Sequence, residues 1–296
     1  MSDVSVGWVC LTVADMMRSL SFYRDLIGLN VLAEGSGRVV LGLLDNEPLV
    51  ILEEQKNVKP SPPGTRGLYH YAILLPSRKD LARTFARLAH RWSFEGFADH
   101  LVSEAVYLRD PDGHGMEIYA DRPVDGWRRT RRGEIMMDTL PLDVDSLLGE
   151  LKGEGLSKAL QTGWLLPSST RIGHIHLSAS SLRKAEEFYH GLLGFDVTNR
   201  GIPGALFMSS GGYHHHIAIN IWAGENAPPP TSNHARLKSF AIKLPSIKHL
   251  RQTVEKLRTA NVEIRDGLLN SVKGFTGIST EDFDGNFVEL AVRTSI

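Results

Sequence analysis

Twelve histidines in 296 residues give this chain a generous supply of imidazole. Neutral imidazole is the commonest transition-metal ligand and, with a pKa of about 6.5, a proton carrier at neutral pH. The densest group is GGYHHHIAIN, where His214, His215 and His216 follow one another. The run reads as a strand, and alternation turns His215 to one face and its two neighbours to the other; an edge strand with solvated imidazoles is the plainer alternative. GHIHL offers His174 and His176, two apart and therefore on one strand face, GLYHYAILL offers His70, and DPDGHGMEIY offers Glu117 after a turn. Two imidazoles and a carboxylate can hold a divalent metal and leave adjacent positions open for a substrate and dioxygen. Singly, each of these groups is as readily a satisfied core or surface residue.

Their meaning depends on the elements that position them, and those elements repeat. Residues 7–31 align without gaps on 173–197, sharing Gly7/Gly173, Leu11/Leu177, Phe22/Phe188, Tyr23/Tyr189, Leu26/Leu192, Gly28/Gly194 and Val31/Val197. HYAILLPSRKDLARTFARL from His70 matches SFAIKLPSIKHLRQTVEKL from Ser239, and DPDGHGMEI from Asp110 matches DFDGNFVEL from Asp282. The offsets of 166, 169 and 172 residues keep one order, so the chain is a duplication. Within each half a fainter repeat starts with VCLTV, YAILL, HIHLS or FAIKL, passes into an amphipathic helix and ends in three strand-like runs. In MMRSLSFYRDL the positions Met17, Leu20, Tyr23 or Arg24 and Ile27 recur at helical spacing, and Gly28 stands where a helix should stop. Four βαβββ units are expected near residues 5–56, 66–123, 171–223 and 236–296. Residues 124–170, with the basic run WRRTRR and a helix around VDSLLGEL, read as a linker.

Composition narrows the function. Lys plus Arg number 33 against 34 Asp plus Glu, a net charge of -1, so no basic surplus is available for nucleic acid or an anionic membrane. No apolar run reaches membrane-helix length, and MSDVSVGWVCL lacks the features of a secretory signal, which makes a cytoplasmic protein the expectation. A single cysteine supplies neither an internal disulfide nor a thiolate ligand set.

Taken together, GHIHL, the helix exit FYHGLLGFDV, GGYHHHIAINIWAG with its Pro-rich sequel, GLYHYAILLPSRKDL and DHLVSEAVYLRDPDGHGMEIYADRP resemble the vicinal oxygen chelate superfamily. The closer likeness is to its catechol 2,3-dioxygenase branch, the type I extradiol dioxygenases, over residues 5–123 and 171–296. The resemblance implies an α+β fold of four βαβββ modules forming two domains of curved mixed sheets, residues 1–123 and 171–296, around the 124–170 linker. In that family two first-strand histidines from partner units and one last-strand Glu hold the metal, usually in units three and four. Here Ser239 replaces the second His although Glu289 is present, and Trp8 stands at the ligand position of unit one. Unit two supplies His70 and Glu117, and unit three supplies His174. The resemblance therefore implies His70, Glu117 and His174 as metal ligands, provided that unit two pairs with unit three and unit one with unit four.

The same resemblance implies His215 as the acid/base, with His216 as its rival, and His100 and Tyr107 as hydrogen-bond donors to the reacting groups. Fe(II) is the expected cofactor, with Mn(II) able to take the same ligands. The expected partners are a small aromatic diol and dioxygen, and the reaction is extradiol ring cleavage. Two alternatives remain: a glyoxalase-type isomerase or lyase, which needs further carboxylate or amide ligands, and a small-molecule-binding protein of the resistance type without turnover. The ring substituents, the role of Glu289 and assembly as a homo-oligomer are open at this point.

Overall fold

The computed structural model describes residues 4–45, 47–152, 163–270 and 272–294. Each unit has one strand, one helix and three further strands. Unit one contains β1 (Ser5–Val13), α1 (Met16–Leu20, running on as a π-helical turn over Ser21–Ile27), β2 (Asn30–Gly35), β3 (Arg38–Gly42) and β4 (Pro48–Glu54). Unit two contains β5 (Gly67–Leu75), α2 (Arg78–Ala89), β6 (Phe94–Asp99), β7 (Ser103–Arg109) and β8 (Gly115–Asp121). A short α3 (Val144–Gly149) lies in the connecting segment. Unit three contains β9 (Arg171–Ser178), α4 (Leu182–Glu186, again continuing as π-helix over Glu187–Leu192), β10 (Asp196–Asn199), β11 (Ala205–Ser209) and β12 (Ile217–Asn220). Unit four contains β13 (Leu237–Lys243), α5 (Ile247–Thr259), β14 (Ile264–Asp266), β15 (Phe275–Glu281) and β16 (Phe287–Arg293).

The helices begin where the sequence offers a capping oxygen. Asp15, Ser77, Ser181 and Ser246 each accept a hydrogen bond from the backbone N–H three residues on, which satisfies one of the free donors of the first turn. Gly28 ends the first helix with φ 96°, a left-handed conformation that a residue with a Cβ rarely adopts. Met17 is exposed whereas Leu20, Tyr23 and Ile27 are buried, so the buried stripe of this helix leaves Met17 out. Among the described residues no helix is long and apolar enough to cross a membrane.

Two eight-stranded mixed sheets result, in the orders β14-β15-β16-β13-β1-β4-β3-β2 and β10-β11-β12-β9-β5-β8-β7-β6. Units one and four share the first sheet, and units two and three share the second, as the distribution of candidate ligands requires. Each sheet is joined at its middle by an antiparallel pair of first strands, β1 with β13 and β5 with β9.

The two sheets are clamped by the residues that made the repeats visible. Tyr23, on the helix of unit one, donates to Asp110 Oδ2 at 2.8 Å in the turn between β7 and β8. Tyr189, on the helix of unit three, donates to Asp282 Oδ2 at 2.8 Å in the turn between β15 and β16. Two residues further along each turn, Asp112 accepts the Ala14 N–H at 3.0 Å and Asp284 accepts the Ser180 N–H at 2.8 Å. Both FY pairs and both DxDG turns thus serve contacts between sheets. Tyr23→Phe leaves the buried Asp110 one donor short and should cost about 1–3 kcal/mol in urea unfolding followed by circular dichroism. Tyr189→Phe should cost a similar amount, and because the two clamps share no partner the losses should add. A double variant as stable as the unaltered protein would contradict this reading of the clamps.

Candidate functional site

The strand β5 sets the site. Ala72 pairs with Glu117 on β8 and with His174 on β9, while His70, two residues earlier, points from the same face. Ala72 contributes only a methyl group, so the row from His174 to Glu117 keeps its centre open. The His70 Nε2 and His174 Nε2 each lie 3.1 Å from Glu117 Oε2 and 3.4 Å from one another. All three side chains are buried. Backbone spacing is equally tight: an added Cβ at Gly173, next to His174, would come within 1.8 Å of the Tyr119 hydroxyl.

Charge states follow from that enclosure. Burial opposes ionisation of Glu117, but the His174 and His70 imidazoles beside it hold its carboxyl well below the usual carboxylate range. Burial pushes His174 down to about 4 against the pull of Glu117. An ionised carboxylate beside a neutral imidazole is the form in which these groups bind metals. The donor atoms also have suitable spacing, since metal–ligand bonds of about 2.1 Å put neighbouring donors roughly 3 Å apart. Three mutually adjacent donors occupy one face of a coordination sphere and leave the opposite face to other ligands. Among the described residues these are the three that could hold an ion together. His174 Nδ1 is buried without a hydrogen-bond partner.

The triad opens onto a cavity of ≈ 360 Å³. His100 and Tyr107 line it as a pair, with His100 Nε2 2.6 Å from the Tyr107 hydroxyl and His100 Nδ1 2.7 Å from the Asp138 carbonyl. A carbonyl only accepts, so Nδ1 carries a proton and, in the neutral ring, Tyr107 donates to Nε2. Burial, and then the Glu117 carboxylate, hold the Tyr107 hydroxyl well above its ordinary pKa, so this proton stays in place.

The histidine run departs from the expected strand. His214 to His216 precede β12, after a turn through Gly211 and Gly212 with φ of 73° and 79°. Irregular bonds satisfy this backbone, including Thr198 Oγ1 to His214 O and Ser209 Oγ to Tyr213 O, each at 2.6 Å. The backbone is not a regular strand, yet of the three only His215 lines the cavity, as alternation expects, while His214 and His215 touch through their rings. His215 lines the cavity with its ring 4.1 Å from that of His174. His216 turns towards Phe195 and accepts the Ser210 N–H at 3.2 Å, outside the cavity lining.

Apart from His176, sequence reasoning passed over the far wall. Tyr69, His176, Ile202, Phe207, Trp222 and Met137 complete it. Met137 comes from the segment read as linker, which bridges to β6 through Asp99 and Leu140 and to β10 through Ile135 and Asn199. Ile135 is wholly buried, and the apolar run Ile135-Met136-Met137 inside an otherwise polar segment was the available signal. The arginines of WRRTRR are solvent-facing as expected, apart from hydrogen bonds such as Arg129 to Gly133 O at 2.9 Å.

The other sheet carries the same positions with different chemistry. Trp8, Ser239 and Glu289 correspond to His174, His70 and Glu117. The Trp8 Nε1 donates to Glu289 Oε1 at 3.3 Å, Ser239 Oγ donates to it at 2.7 Å, and Asn270 reaches both carboxylate oxygens at 2.6 and 3.0 Å. Glu289 is wholly buried, and the indole fills the space that Ala72 leaves open in the second sheet. Its carboxylate therefore acts as a hydrogen-bond hub.

Comparison with known proteins agrees with this architecture. The family model described as "Glyoxalase/Bleomycin resistance protein/Dioxygenase superfamily" matches residues 5–118 and 171–290. The chain is 42% identical over 266 residues to the catechol-2,3-dioxygenase of Bacillus subtilis (strain 168), spanning 89% of this chain and 91% of that protein. The fold is shared with the crystal structure of glyoxalase I from Zea mays, with a TM-score of 0.58 at 14% identity over 98% of this chain and 92% of that one. By the family model across both halves and the relative along most of its length, the chain belongs to the Glyoxalase/Bleomycin resistance protein/Dioxygenase superfamily, as a catechol-2,3-dioxygenase-like enzyme.

Proposed function

We propose that the protein is an extradiol ring-cleaving dioxygenase for small aromatic diols, with His70, Glu117 and His174 as ligands of Fe(II), for which Mn(II) is an alternative on the same donors. The observation that carries this reading is the three-donor face at the floor of a cavity also lined by His215, His100 and Tyr107. When bound, such an ion supplies Lewis acidity towards a vicinal diol and a route for electrons from the ring to dioxygen. His215 is the base that takes a proton from the diol and returns it later. Burial, with His174 next in effect, holds its imidazole well below the usual range, in keeping with a neutral base. The Tyr107 and His100 pair supplies a hydrogen-bonding edge whose proton lies between the two side chains. Tyr69, Phe207, Trp222 and Met137 exclude water from the ring.

The wall supports a substrate with neutral, apolar substituents. Arg109, the cation at the cavity, is already bound to Glu95 at 2.6 Å and to the Gly113 carbonyl at 2.8 Å. Among the described residues lining the cavity a carboxylated catechol finds no arginine or lysine without an acidic partner, and burying an unpaired charge is costly.

The test is anaerobic loading with Fe(II), addition of catechol and admission of air, followed by the yellow absorbance of the ring-opened semialdehyde. One iron per chain and turnover are expected, and methylcatechols should have a lower KM than carboxylated catechols. Iron binding without ring cleavage would overturn the assignment. His215→Ala should retain iron while kcat falls at least about 100-fold, the usual scale of general acid–base catalysis. Ala72→Leu should fold, with an overpacking cost of about 1–3 kcal/mol, and lose iron because the side chain fills the space between His174 and Glu117; undiminished iron content would refute that role for Ala72.

A further inference from the structure

We infer that Asp121 and His214 are positioning residues that fix which ring nitrogen of His215 carries its proton. The inference rests on the assignment of His215 as the base, and it concerns a hydrogen-bonded chain that leads away from the cavity.

Asp121 is the last residue of β8 and shares a strand face with Glu117 and Tyr119. His214 Nε2 lies 3.0 Å from Asp121 Oδ1, and His214 Nδ1 lies 2.8 Å from His215 Nδ1. The His214 ring is wholly enclosed, with Trp127, Tyr119 and Tyr213 packed around it. A carboxylate only accepts, so the His214 nitrogen facing Asp121 bears the hydrogen. With one proton on that ring, its Nδ1 is an acceptor. The neighbouring His215 Nδ1 must then be the donor, which leaves His215 Nε2 with its lone pair free. Among the described residues Nε2 has no hydrogen-bond partner, while the ring lines the cavity beside His174. The imidazole is thereby held in the tautomer that a base needs.

The opposite end of the chain has the same direction. Tyr213 donates to Asp121, with its hydroxyl 3.0 Å from both carboxylate oxygens, and the Tyr119 hydroxyl stands 2.8 Å from that of Tyr213. Once the Tyr213 proton is committed to Asp121, Tyr119 must donate to Tyr213. Every hydrogen in the network therefore points towards Asp121, and one acceptor-only group orients four side chains. A hydrogen-bonded carboxylate behind an imidazole commonly selects its tautomer in this way.

Asp121→Asn keeps the shape and removes that polarity, because the amide can present N–H to His214 Nε2. His214 would then donate through Nδ1, and the His215 proton would move to Nε2. The experiment is two-bond ¹H–¹⁵N NMR of the histidine rings in the metal-free protein, which needs neither iron nor substrate. His215 protonated at Nδ1 in the unaltered protein and at Nε2 in Asp121→Asn is expected; protonation at Nε2 in the unaltered protein, or the same tautomer in both, overturns the inference. In the iron-loaded enzyme Asp121→Asn should lower kcat by at least about 100-fold with KM and iron content held, and a loss confined to iron content would overturn it. Tyr213→Phe removes a bond of the same network without reversing it, so the Nδ1 proton should stay and kcat should fall far less. If both variants lose kcat equally with no change of tautomer, the network is merely structural and the inference fails. Because the tautomer is read without turnover, an Nδ1 proton in a protein that cleaves no catechol would count against the activity and for the hydrogen-bond chain.

Discussion

Four strands at the centres of the two sheets carry the rest of the molecule: β5 paired with β9, and β1 paired with β13. Each pair joins a unit from the first half of the chain to one from the second. The side chains facing inwards across each pair are brought to a separation set by backbone hydrogen bonds, which are far stiffer than side-chain contacts. In the second sheet this register faces His174 with Ala72 and Ala72 with Glu117, so three potential ligands converge without any loop to hold them. Sites built on strands keep their geometry better than sites built on loops. A slip of any one of these strands by one residue would turn its own ligand to the other face of the sheet and break the triad.

The same scaffold gives opposite results in its two copies because of small differences in volume and polarity. Around His174 the partner residues leave a gap, the carboxylate is ionised, and the surroundings open into a cavity. Around Trp8 the indole occupies that gap, and Ser239 and Asn270 surround Glu289 with donors. A buried carboxylate with so many hydrogen bonds is satisfied without a cation, whereas one left without them would be expensive. Glu289 is thus satisfied by hydrogen bonds within the first sheet, while the candidate ligand group among the described residues lies in the second.

Much of this was legible in the sequence because the responsible signals are local or repeated. The strand–helix–three-strand order, the capping Asp and Ser residues and the Gly28 stop depend on neighbours within a few positions. The exchange of unit partners was legible from Trp8 and Ser239, which break the ligand pattern in two units, while His70, Glu117 and His174 complete it in the others. The irregular backbone of His214 to His216 was not legible, because it rests on the glycine turn before it and on the side chains of Thr198 and Ser209. Nor was the wall from residues 128–142, whose polar composition reads as linker and whose position depends on Ile135 and on pairing with distant strands. The purpose of the FY and DxDG motifs was hidden for a related reason: they recur at a fixed spacing, but they meet only across sheets.

The crossed arrangement of units also governs the order in which the polypeptide can assemble. His70 and His174 meet at a sequence separation of 104, and Trp8 and Glu289 at one of 281. Closing the shorter loop sacrifices less chain entropy, and once closed it shortens the effective tether for the longer one. The inner pair is therefore the natural nucleus and the outer pair its follower. During synthesis on the ribosome, unit one emerges first and waits longest, its central strand edge unsatisfied until the last unit appears. Topology of this kind makes folding slow and leaves a nascent intermediate dependent on protection from self-association.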